Sequence, residues 1–179
     1  MKVLGLDLKD DSLMDTPNRI AKMYVNEIFW GLDYSAFPKC TAVDNKMKYE
    51  NMIVETNISV QSNCEHHFVV IDGLATVAYI PNKKVLGLSK INRVVEYFSK
   101  RPQIQERLTE QIAATISFVT GTPDVAVYLE AVHYCVKSRG IQDTGSSTCT
   151  LAVDGVFGED SSDIRREFLN IARGLSILN

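Results

Sequence analysis

Val125-Ala126-Val127-Tyr128-Leu129-Glu130-Ala131-Val132-His133-Tyr134-Cys135 alternates apolar and other side chains along an extended backbone. Val125, Val127, Leu129, Ala131, His133 and Cys135 share one side, so the segment reads as a strand whose buried face ends in two metal-ligand residue types. Upstream, Met52 to Ser62 alternates in the same way, with Met52, Val54, Ile58 and Val60 on one face. Phe68–Ile71 and Leu74–Ile80 read as further β segments. Asp72-Gly73 between them is a turn signal, or a bulge in one continuous strand. A last strand spans about Thr148 to Phe157.

Between these strand pairs the period changes to that of helices. Ser89 is placed to cap a helix carrying Ile91, Val94, Val95 and Phe98, and Pro102 to open a second with Ile104, Leu108, Ile112 and Ile116, stopped at Gly121. An earlier helix starts at Thr16-Pro17, repeats apolar residues at Ile20, Tyr24 and Ile28, and closes at Gly31. A final helix covers about Asp163 to Ala172 and ends at Gly174. Strands and helices in blocks predict an α+β fold on an antiparallel four-stranded sheet, flanked by an N-terminal and a C-terminal helix. Such a sheet leaves two edges open, and edges are covered or paired in stable proteins, so an oligomer is expected.

The chain has 179 residues, 45% hydrophobic, with a formal net charge of −3. That suits one globular unit with a sizeable core. Without a basic field, nucleic acid is not an expected partner, and an anionic ligand needs a local basic pocket. No apolar run is long enough to span a bilayer, and the first residues lack the apolar core of an export signal, so no membrane partner and a cytoplasmic location are expected. Four cysteines in such a chain are not a disulfide framework.

All three histidines sit in two segments, Cys64-Glu65-His66-His67 and His133-Tyr134-Cys135. Cys and His are the donors zinc prefers, and His is the usual proton carrier near neutral pH. Cys64, His67 and Cys135 on one ion would leave a position open for water, as in catalytic zinc sites. A closed structural site with His66 or His133 as fourth donor is the other reading, although neither half has a paired Cys-x-x-Cys or His-x-x-x-His form. Cys64 and His67 are three positions apart, so sharing an ion demands a turn or bulge between them.

Ser89-Lys90-Ile91-Asn92-Arg93 puts two cations in the first turn of a helix, where they oppose the dipole unless an anion binds. Solvated surface charge is the plainer meaning of the same residues. Arg139 adds a cation four positions past Cys135. Gln105-Glu106 opens the following helix; a carboxylate there is ordinary dipole matching, or an acceptor for paired N–H groups such as guanine offers.

Together these segments resemble the GTP cyclohydrolase I family. The likeness rests on Cys64-Glu65-His66-His67-Phe68, Val77-Ala78-Tyr79-Ile80-Pro81, Gly87-Leu88-Ser89-Lys90, Arg101-Pro102-Gln103, Gln105-Glu106-Arg107-Leu108-Thr109, His133-Tyr134-Cys135, Arg139-Gly140 and Arg166-Glu167-Phe168-Leu169. It implies the tunnelling fold, ββααββ, with residues 1–50 an N-terminal helical segment and 51–179 the catalytic domain. It implies hydrolysis of GTP to 7,8-dihydroneopterin triphosphate and formate, through attack of zinc-activated water at guanine C8, ring opening, deformylation and recyclisation. Zn2+ is then held by Cys64, His67 and Cys135, and His66 and His133 carry protons. Glu106, with Gln105, anchors guanine; Ser89 contacts ribose; Lys90, Arg93 and Arg139 take the triphosphate. The family's assembly implies a homodecamer, or a pentamer if rings do not stack, with sites between subunits. Two other classes share the fold: an enzyme acting on another pterin or deazapurine, and a non-catalytic nucleotide-binding ring protein. The sequence does not choose among folate, biopterin and 7-deazaguanine routes for the product.

Overall fold

Four long strands make the centre of the structure, a computed structural model that describes residues 1–159 and 162–175. They are β2 (Ile53–Cys64), β3 (Val70–Tyr79), β6 (Val125–His133) and β7 (Thr148–Val153). Short strands β1 (Ala42–Asp44) and β4 (Lys84–Leu86) pair with each other, apart from the main sheet. Helices α1 (Thr16–Met23), α2 (Leu88–Ser99), α3 (Gln105–Thr120) and α5 (Asp163–Ala172) complete an α+β architecture, with a single helical turn α4 (Tyr134–Lys137).

The expected antiparallel sheet is present, with one addition. A two-residue strand β5 (Pro102–Gln103) lies parallel to the end of β2, giving the order β5-β2-β3-β6-β7. Pro102 therefore does not open a helix. Gln103 is buried and its Nε2 donates to Phe98 O and Gln111 Oε1, which holds the segment extended beside Cys64 until α3 starts at Gln105. Gly121, with φ 70°, closes α3 as expected.

Asp72-Gly73 is not a turn: β3 runs straight through it, and Gly73 faces Val60 on one side and Ala131 on the other. A Cβ on Gly73 would run into the Glu130 carbonyl, so glycine serves close strand approach here. The bulge lies instead in β2, between Glu55 and Ile58, where Asn57 has φ 56°. One extra residue reverses side-chain parity. Ile58 and Val60 thus join the main core, while Met52 and Val54 pack on the opposite face, rather than all four sharing one face.

That main core fills the space between the sheet and α2 and α3, with Val77, Ile91, Val94, Leu108, Ile112, Val127 and Leu129 fully buried. On the other face, α5 sets Phe168 against Phe157, covering Ala78, Ala126 and Tyr128. The last strand stops at Val153, followed by a 3-10 turn at Gly155–Phe157. Ser89 is not a cap either; Gly87 precedes α2, and Ser89 lies exposed in its first turn. At the N-terminus, α1 passes into a π-helical turn, Tyr24–Ile28. Gly31 is buried, its N–H bonded to Lys100 O at 2.9 Å.

Candidate active site

β2 delivers Cys64 to one end of the sheet, and the chain then turns sharply. Phe68 N–H donates to Cys64 O at 2.8 Å and Cys64 N–H to Val69 O at 2.8 Å, closing a tight turn over Glu65, His66 and His67. Phe68 pays a local strain with φ 52°, unusual for a bulky residue. Its carbonyl accepts from Asn63 Nδ2 (3.0 Å) and Tyr24 Oη (3.3 Å), and its ring packs against Tyr24 and Phe29. This turn is the device that the three-residue spacing of Cys64 and His67 required.

β6 ends at the same end of the sheet, with His133 opposite Ile71 of β3. Cys135 is not on the strand, contrary to the alternation; the chain enters α4 at Tyr134, and the helical turn swings the thiol toward β2. The donor atoms of Cys64, His67 and Cys135 all lie within 4.8 Å of one another. Two thiols and an imidazole at that separation fit zinc, whose bonds to S and N are about 2.0–2.3 Å. Burial and the neighbouring Cys64 push the Cys135 thiol above its ordinary range. His66 Nδ1 is 3.5 Å from Cys64 Sγ, and Arg139 Nη1 donates to His67 Nε2 at 2.9 Å.

His133 is half-buried, and that burial holds its imidazole below the usual value while the Glu106 carboxylate pulls the other way. Its Nε2 is 2.6 Å from Gln105 Oε1. Gln105 and Glu106 are thus brought to the metal end by the start of α3, Gln105 buried and Glu106 exposed.

Ser89, Lys90 and Arg93 are elsewhere. α2 runs alongside β2: Asn92 and Glu96 line a cavity with Asn57, Ile58 and Ser59, and Lys100 lines another with Ser62 and Asn63. The first turn of α2 therefore sits near the far end of the sheet, about 18 Å of helix away from the Cys64 end. Within one chain, these cations and the Cys–His–Cys group do not meet.

Several contacts that shape the site cannot be read from spacing along the chain. Arg107 grips Glu65 across 42 positions, and Thr109 and Thr150 pair across 41. Tyr24 reaches Phe68 from the N-terminal segment, with nothing in its spacing to announce it.

An antiparallel sheet backed by two helices, with a Cys–His–Cys donor group and two further imidazoles at one end, defines an α+β protein with a candidate catalytic metal centre. A family model for GTP cyclohydrolase I matches residues 1–173. Proteins described as GTP cyclohydrolase 1 are 58% identical over 173 residues in Erwinia tasmaniensis, covering 97% of this chain and 78% of the relative. The counterpart in Aeromonas salmonicida is 59% identical over 174 residues, 97% of this chain and 79% of the relative. That of Aeromonas hydrophila is 60% identical over 169 residues, 94% and 77%. The chain belongs to the GTP cyclohydrolase I family. Among solved structures, the archaeosine synthase QueF-Like in the apo form is matched at 18% identity and a TM-score of 0.49, over 58% of this chain and 93% of that one. So distant a likeness adds nothing further.

Proposed function

We propose that this chain hydrolyses GTP to 7,8-dihydroneopterin triphosphate and formate, on the tunnelling fold. The observation that carries the reading is the convergence of Cys64, His67 and Cys135 within 4.8 Å beside His66, His133 and Arg139, in a member of this family. Cys64, His67 and Cys135 would hold Zn2+, which would supply a Lewis acid and lower the pKa of water toward about 7.

The chain's own groups do the rest. Glu106 accepts the paired N–H bonds of the guanine edge, with Gln105 beside it in the first turn of α3. As the imidazole ring of guanine opens between C8 and its nitrogen, His66 and His133 take protons from the water being consumed and pass them to the ring nitrogens that become amines. Hydrolysis of the formamide so formed releases formate, and the remaining nitrogen closes onto the ribose-derived carbons to make the pterin ring. Ser89 meets the ribose, and Lys90, Arg93 and Arg139 neutralise the triphosphate.

Because Lys90 and Arg93 lie at the opposite end of the sheet from Cys64, a complete site takes them from another copy of the chain. The edge at β7, and the length of β2 that the two-residue β5 leaves uncovered, suit strand-to-strand assembly into a ring, a homodecamer or pentamer. Residues 51–179 form the catalytic unit and residues 1–50 a mainly helical segment laid against it, with β1 paired to β4; 160–161 and 176–179 are outside the described residues. Among the described residues no helix is long and apolar enough to cross a membrane, and the cytoplasm, where GTP is supplied, is the proposed location.

The test is formate release from GTP by zinc-loaded protein, before and after chelation. Expected are one formate per GTP, loss on chelation and recovery with added zinc. Release of formate by fully chelated protein, or none by the zinc-loaded form, overturns the reading.

A further inference from the structure

Gln105 is 1% exposed, and both polar ends of its side chain are engaged by protein. Nε2 lies 3.1 Å from Leu129 O, 2.9 Å from Thr148 O and 3.1 Å from Thr150 Oγ1. Oε1 lies 2.6 Å from His133 Nε2. The two hydroxyls nearby fix the direction of every bond. Thr109 Oγ1 donates its one proton to the main-chain carbonyl of Gln105 at 2.8 Å. In the 2.6 Å contact between Thr109 and Thr150, Thr150 must then be the donor. With its proton spent, Thr150 Oγ1 can only accept from Gln105.

Three acceptors therefore surround one end of the amide, and only an NH2 group, sharing its two protons among them, can donate there. Turning the amide over would set its carbonyl oxygen against two backbone carbonyls and an oxygen with no proton left, in a buried place where unpaired polar atoms are costly. Oε1 is thus held toward His133, and an acceptor facing a ring nitrogen requires a proton on that nitrogen. His133 carries its hydrogen on Nε2. Nδ1 has no protein partner among the described residues.

We propose that Gln105, locked by Thr109 and Thr150, is a positioning residue that fixes His133 as its Nε2–H tautomer and leaves Nδ1 as the nitrogen presented to the reacting purine. The inference rests on the reading of His133 as a proton carrier in GTP hydrolysis. It gives the Gln105 side chain a task distinct from guanine contact, and extends the site to β7 through Thr150. Support of this kind is familiar where a histidine's second nitrogen sets which face of the ring is basic.

The experiment uses zinc-loaded, assembled protein with isotopically labelled histidine. Solid-state nitrogen spectra distinguish protonated from unprotonated ring nitrogens, and His133, one of three histidines, is assigned as the signal lost in His133→Asn. Expected for the neutral ring are a protonated Nε2 and a bare Nδ1. Gln105→Met, similar in volume but without the hydrogen bonds, should mix the tautomers and lower kcat about 10–100-fold with KM for GTP little changed. Thr150→Val should do the same more mildly, and Thr150→Ser should restore both the spectrum and kcat. If Gln105→Met does not assemble, the Thr150 pair carries the test. A wild-type His133 protonated on Nδ1, or Thr150→Val identical to wild type in spectrum and kcat, overturns the proposal, as does a Gln105→Met loss confined to KM. A wild-type protein that releases no formate refutes the GTP reading instead, and the spectra still decide the tautomer.

Discussion

Nη1 and Nη2 of Arg107 both lie 2.8 Å from the same oxygen, Oε2 of Glu65. The contact ties α3 to the turn that carries His66 and His67. Both side chains are partly exposed, at 41% and 32%, so the ion pair contributes at most about 1 kcal/mol to folding. Its weight falls on the loop. Arg107→Ala should leave the melting temperature nearly unchanged while weakening zinc about tenfold, as loss of a support outside the ligand set commonly does. Competition against a chromogenic chelator measures this, and unchanged zinc affinity would show that the turn needs no such tether.

Phe68 yields an inverted stability order. Its left-handed backbone costs about 1–2 kcal/mol with a side chain present, whereas glycine adopts it freely. Phe68→Ala and Phe68→Gly both lose the packing on Tyr24 and Phe29, whose ring centroids lie 5.8 and 5.0 Å away. Only the glycine variant sheds the strain. Urea unfolding should therefore rank Phe68→Gly above Phe68→Ala by about 1 kcal/mol. Alanine equal to or better than glycine would contradict the turn as described.

Gly73 should tolerate nothing larger. An added Cβ would sit 2.6 Å from Ala131 Cα and against the Glu130 carbonyl, forcing β3 away from β6. Gly73→Ala should cost about 1–3 kcal/mol or more, read as a fall in the denaturation midpoint. A neutral effect would return Asp72-Gly73 to the role of an exposed turn.

Removal of metal should expose a thiol pair. All four cysteines are free, and the sulfurs of Cys64 and Cys135 lie within 4.8 Å of each other. Mild oxidation of chelated protein should join these two, leaving Cys40 and Cys149 titratable, and zinc should protect the pair. Cys64→Ser, His67→Ala and Cys135→Ser should each lose metal and formate release with the assembly retained. Four free thiols in oxidised, metal-free protein would contradict the adjacency.

Separation of the two halves of the site can be tested by mixing. Cys135→Ser loses the metal end, and Lys90→Ala with Arg93→Ala loses the phosphate end. Each alone should be nearly inactive. Co-assembled in equal amounts, roughly a quarter of sites draw both halves from intact partners, so activity should recover toward that fraction. No recovery in mixed assemblies would mean that each chain completes its own site.

Local rules were legible in the residues themselves. Alternation in Val125–Ala131 marked a strand, four-residue spacing from Leu108 to Ile116 marked a helix, and three histidines gathered beside two cysteines marked a site. Each follows from backbone periodicity or side-chain chemistry over a few positions, which needs no knowledge of neighbours. Other features belonged to the tertiary structure because their causes lie far along the chain. Gly73 is a strand residue because β6 passes close to it, and the parity of β2 reverses at Asn57 because one residue is left unpaired against β3. Cys135 reaches its partners only because α4 replaces the end of a strand. Gln105 points its oxygen at His133 because Leu129, Thr148 and Thr150 leave no other orientation, and Lys90 and Arg93 stand at the opposite end because α2 runs along β2. Packing between distant segments chose these outcomes; periodicity and residue chemistry had already determined that there would be a sheet, two helices upon it, and a cluster of metal donors at a strand end.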